Sequence, residues 1–124
     1  MEKRIPEPDV TPRIIAEIPI CLYEFIEMLV SMQAYQKGIK PIRFSSETLA
    51  NRFIYLTWNI DIEQEGQYEN LFSTIRKECY KLFAQLLEQE RISWNRKGIT
   101  YAFRIEKGNQ SSNDLVLEFK SIQL

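Results

Sequence analysis

Seven side chains in the second half of this sequence have the chemistry to meet a nucleic acid. Asn70, Ser73, Arg76, Lys77 and Lys81 are spaced as on the polar side of one helix, and Arg96 and Lys97 follow at a turn. Amides, hydroxyls and guanidinium groups read base edges, while lysines neutralise phosphates. The ordinary alternative for the same residues is a solvated helix face and a charged turn. The distribution of charge sharpens the question, because residues 70–107 hold 8 Lys plus Arg against 4 acids, whereas residues 1–69 hold 7 against 11. The whole-chain net charge of −1 carries no such signal.

Other chemistries find less support. No histidine occurs, which excludes Ser-His and Cys-His nucleophilic arrangements and histidine-ligated metal sites. With 4 glycines in all, neither a dinucleotide fingerprint nor a phosphate-binding loop can be traced. Nothing therefore marks an enzyme, and no cofactor or metal is implied. Glu24 and Glu27 share a helix face without a matching acidic helix, and Asp61, Glu63 and Glu65 lack the calcium-loop pattern. Both groups read as solvated acids. Trp58, Trp94, Tyr68, Tyr80 and Tyr101 would suit base stacking, but Trp94 and Tyr101 stand in register with Ile92 and Phe103, as core residues do. Cys21 and Cys79 lie among apolar residues and read as buried free thiols.

The elements that must position the basic residues follow from periodicity. A length of 124 residues with 44% hydrophobic and 27% charged residues fits one α+β domain, here residues 19–124 behind an extended proline-containing arm over residues 1–18. A first helix over residues 19–37, ended by Gly38, is apolar around most of its circumference. It is either the central helix of the core or an interface, with Leu22, Phe25, Ile26 and Leu29 as the contacts to a second copy or a protein partner. Residues 39–44 form a connector or strand, and Ser45 and Ser46 offer N-caps to a second helix over residues 46–56. After a loop over residues 57–66, a third helix over residues 67–90 has the clearest three- and four-residue repeat in the chain. The period then changes to two, giving a β-hairpin that turns over residues 95–98 and a further strand over residues 115–122. An antiparallel meander with one face on the helices is expected. No segment is long and apolar enough to span a bilayer, and the start lacks a signal-peptide core, so a cytoplasmic location is expected.

Three helices followed by a hairpin, with a basic third helix and a basic hairpin tip, resemble the winged helix-turn-helix domains. Residues 45–53 (Ser-Ser-Glu-Thr-Leu-Ala-Asn-Arg-Phe) are similar to the first helix of a helix-turn-helix. Residues 82–94 are similar to a recognition helix running into a first wing strand. The resemblance covers about residues 45–106. It implies a non-catalytic double-stranded DNA-binding protein, a transcriptional regulator or replication-initiator-like protein, and the apolar first helix adds the expectation of a homodimer. In that reading Asn70, Ser73 and Arg76 face bases, Lys77 and Lys81 face phosphates, and Arg96 and Lys97 touch the flanking backbone. The long segment around residues 57–67 and the long third helix depart from the compact motif. The alternative is a protein-interaction subunit that docks through the apolar helix 19–37.

Overall fold

Proline starts the first helical turn instead of preventing it. In the computed structural model, which describes residues 6–35, 43–62, 68–88, 93–96, 99–107 and 115–123, helix α1 is the single turn Pro12–Ile15. Pro12 occupies the first helical position, where a missing amide costs nothing, and the Thr11 hydroxyl accepts from the Ile14 N–H at 3.3 Å. The expected extended arm is thus corrected among its described residues: 6–11 lack regular structure, 12–15 are helical and 16–17 turn into the next helix. Val10, Ile14 and Ile15 rest against the core.

Helix α2 (Ile18–Tyr35) settles the question its sequence left open. Ile18, Cys21, Leu22, Phe25 and Ile26 form an inward stripe, and Ile26 is 0% exposed. Leu22, Phe25 and Ile26 are therefore core residues, and Leu29 packs partly buried against the same core. For Leu22, Phe25 and Ile26 this corrects the assignment as a docking surface, because a side chain buried by its own fold has no apolar area left to offer a partner; Leu29 keeps part of its surface. Among its described side chains, the large apolar groups that α2 exposes are Ile20 at 54% and Met32 at 55%. Gly38, the expected end of this helix, lies outside the described residues.

Strand β1 (Arg43–Ser45) runs into helix α3 (Ser46–Trp58) with no intervening loop. Ser45 serves both: it pairs with Val116 in the sheet, and its hydroxyl accepts from the Thr48 N–H at 3.1 Å as the N-cap. Ser45→Ala should lower the unfolding free energy by about 1 kcal/mol. Urea denaturation checks this, and a shift near zero would remove the cap from the account. At the far end of α3, Asn59 takes the left-handed conformation (φ 57°, ψ 36°) and its N–H bonds to the Tyr55 carbonyl at 2.8 Å. Asparagine tolerates this region better than other non-glycine residues, so the helix runs two residues past the expected end and stops there.

Helix α4 (Glu69–Glu88) opens behind Tyr68, whose φ is 66° and whose carbonyl accepts from the Phe72 N–H at 3.0 Å. A tyrosine does not adopt positive φ cheaply; the burial of its ring holds it there. That start sets the rotation of α4. Leu71, Ile75, Cys79, Phe83 and Leu86 face inward against the buried Leu49, Ala50, Phe53 and Ile54 side of α3. The sheet adds β2 (Ser93–Arg96), β3 (Ile99–Lys107) and β4 (Leu115–Gln123) as the expected meander. All neighbours are antiparallel in the order β1-β4-β3-β2, so the short connector became an edge strand beside the last one. The β3–β4 register shifts between Ala102 and Phe103, where Ala102 pairs with Ser121 and Phe103 with Phe119, leaving Lys120 as the extra residue of a bulge.

Phe44 is the joint between layers. Its ring meets Phe25 of α2 edge-on at 5.0 Å and Phe83 of α4 at 6.1 Å, so a strand side chain locks two helices to the sheet. Between α2 and α3, the Arg52 guanidinium lies 5.8 Å from the Phe25 ring centroid and its Nη2 donates to the Met28 sulfur at 3.3 Å. On the opposite face of the sheet Arg43, Glu118 and Arg104 sit on register partners, with Arg104 to Glu118 at 3.1 Å and Arg43 to Glu106 at 2.9 Å. That wet face is what an antiparallel sheet packed on one side allows.

Both cysteines are buried and unbonded. Burial pushes the Cys21 thiol up to about 11, with Arg52 opposing and Glu24 adding to the shift. Cys79 is pushed up further by burial, then by Cys21 and Glu78. A thiol reagent at pH 8 should therefore label neither cysteine until the chain unfolds. Below pH 9.0 Cys21 is protonated in both states and stability is unaffected by it; as pH rises from 9.0 through about 11 the unfolded chain ionises first and stability falls. Labelling of the native protein at the rate of a free thiol would contradict this burial.

Candidate nucleic-acid interface

Opposite its buried stripe, α4 presents a second stripe to solvent. Asn70, Ser73, Thr74, Lys77, Lys81, Gln85 and Glu88 are all exposed and recur at helical steps. Four of the expected site residues, Asn70, Ser73, Lys77 and Lys81, fall on it. Arg76 does not share its centre: it lies on the flank and is half-buried. The first acid of the helix, Glu69, stands in the first turn, where the positive end of the helix dipole favours it, and Glu88 closes the stripe at the other end. Between them the exposed line carries amide, hydroxyl and ammonium groups only.

The electrostatics are simple. Lys81 Nζ reaches Glu78 Oε1 at 3.2 Å, an i,i+3 pair with the lysine side chain 55% exposed. Such a pair is worth about 0–1 kcal/mol, so the lysine can exchange its partner for a phosphate at little cost. Lys77 and Arg76 form no ion pair among the described residues. Arg104, counted in the basic third of the sequence, is committed to Glu118 and adds nothing to this surface.

Of the hairpin pair, Arg96 is described and Lys97 is not. Arg96 is the last residue of β2, paired with Ile99, so the expected turn over residues 95–98 loses Asn95 and Arg96 to the strand. Lys97 lies outside the described residues. The stacking candidates are accounted for in part: Tyr68 is buried, Tyr80 packs against the core, and Trp58 does so edge-on to Phe53 at 6.0 Å. Trp94 and Tyr101 are register partners in the β2–β3 pair.

Thr74 and Gln85 were missed by the sequence reading, though their spacing of four from Asn70 and Lys81 was the signal that would have found them. Thr74 Oγ1 donates to the Asn70 carbonyl at 2.8 Å, so its one donor is used within the helix. No group of three or more Cys, Asp and Glu side chains converges as for a metal ion among the described residues. No helix among them is long and apolar enough to cross a membrane. Glu24 is exposed on α2, and Glu63 and Glu65 lie outside the described residues. No known protein family, curated protein or solved structure matches the chain.

Proposed function

We propose that residues 45–106 act as a winged helix-turn-helix unit that binds double-stranded DNA, with the exposed stripe of α4 in the major groove. The observation that carries this reading is the run Asn70, Ser73, Lys77 and Lys81 on one solvent-facing line, uninterrupted by an acid. Its back is fixed by Leu71, Ile75, Cys79 and Phe83, so the stripe is rigidly presented, as groove readout requires. The element order also supports it: a capped helix α3, a longer helix α4 packed on it, and a β2–β3 hairpin that brings Arg96 to the end of a strand. An α4 of 20 residues reaches beyond a groove, so the contacts run from Asn70 to Lys81 and the end bearing Glu88 stays out.

Fluorescence anisotropy with a random-sequence duplex tests this between about 50 and 200 mM salt, the range in which phosphate contacts declare themselves. Binding that weakens steeply with salt is expected. Folded protein that fails to bind at the low end would contradict the proposal and return attention to a protein partner.

A further inference from the structure

We propose that the α4 stripe discriminates in favour of A·T base pairs, through the side-chain amide of Asn70 and the methyl group of Thr74 acting as a pair. This rests on the duplex-binding reading and adds what the surface would select. Both residues are exposed and lie one turn apart, with Thr74 Oγ1 donating to the Asn70 backbone carbonyl at 2.8 Å. The bond uses the only hydrogen of the hydroxyl and turns the oxygen toward the preceding turn. Thr74 therefore has no donor left for a base acceptor, and it presents the methyl on the other branch of Cβ beside an oxygen that can only accept.

These two groups match one base pair type from both sides. A carboxamide offers a donor and an acceptor together, which satisfies the N7 acceptor and N6 amino group of adenine, whereas guanine shows two acceptors to the same approach. A methyl group finds its apolar counterpart in the major groove only at the C5-methyl of thymine. Residues four apart on a helix have Cβ atoms about 5–6 Å apart, a span that bridges bases of the same or adjacent pairs. Arg76, the one arginine of α4 and the side chain best suited to guanine, stands on the flank and half-buried. Lys77 and Lys81 hold phosphates and carry no base information in this arrangement.

Selection from a pool of randomised duplexes by the intact protein tests the inference, followed by anisotropy on an enriched duplex. Enrichment of A·T steps is expected. Replacing adenine with 7-deazaadenine should weaken the wild-type protein by about fivefold to a hundredfold and leave Asn70→Ala indifferent. Replacing thymine with uracil should weaken the wild type severalfold and leave Thr74→Ser, which keeps the hydroxyl and lacks the methyl, indifferent. Both positions are exposed, so circular dichroism of the two variants should match the parent. Salt-dependent binding with no A·T preference, or Asn70→Ala retaining the parent's preference, would overturn the base-reading inference while leaving duplex binding intact. Failure to bind any duplex would overturn both.

Discussion

Phe83→Ala is expected to lower the unfolding free energy by about 3–5 kcal/mol, a large share of the roughly 5–15 kcal/mol that holds a domain together. Phe83 is 0% exposed and meets Phe44, which in turn meets Phe25, so one ring on α4 completes a chain of contacts through β1 to α2. Truncation leaves a cavity where three elements join, and neither helix can close it without dragging the strand. Urea denaturation should show a lowered midpoint with an unchanged slope. A loss below about 1 kcal/mol would mean that this ring is not at the joint. Loss of duplex binding in that variant would then track loss of fold, which separates it from the next case.

Exchanging Lys77 and Lys81 together for alanine should leave stability within about 0.5 kcal/mol of the parent, because both are exposed and the Lys81–Glu78 pair is a surface one. Duplex affinity should fall for every sequence, and the slope of log affinity against log salt should flatten by about 1.8, or 0.9 for each phosphate contact removed. Anisotropy over the salt range measures both. An unchanged slope would take these lysines out of the interface even if affinity fell for another reason. Asn70→Ala differs in kind, since it removes a base contact and leaves the slope as it was.

How much of this was legible beforehand depends on whether the controlling contact is local. The inward stripe of α4, from Leu71 to Leu86, is written in its own spacing, and the outward line of Asn70, Ser73, Lys77 and Lys81 follows as its complement. The meander was legible for the same reason, since strands β2, β3 and β4 pair in sequence order. The pairing of β1 with β4 was not, because Arg43–Ser45 meets Val116, Leu117 and Glu118 from the far end of the chain. Nor could the sequence say which side of α2 is buried: apolar residues around most of its circumference hide the stripe that tertiary packing selects. Proline at Pro12 misled as a breaker where position made it a starter. Charge arithmetic could not show that Arg104 is answered by Glu118 across the sheet, nor that the lysines of α4 gather on one exposed line while Glu69 and Glu88 stand at its ends.

The central claim is that α4 meets the duplex through its exposed stripe, and an amide-resolved NMR titration of the protein with a random-sequence duplex at low salt tests it most directly. The account predicts shifts concentrated at Asn70, Ser73, Lys77 and Lys81, with Arg43, Arg104 and Glu118 on the outer sheet face unmoved. Shifts centred on that sheet face, or on α2 around Ile20, would contradict it.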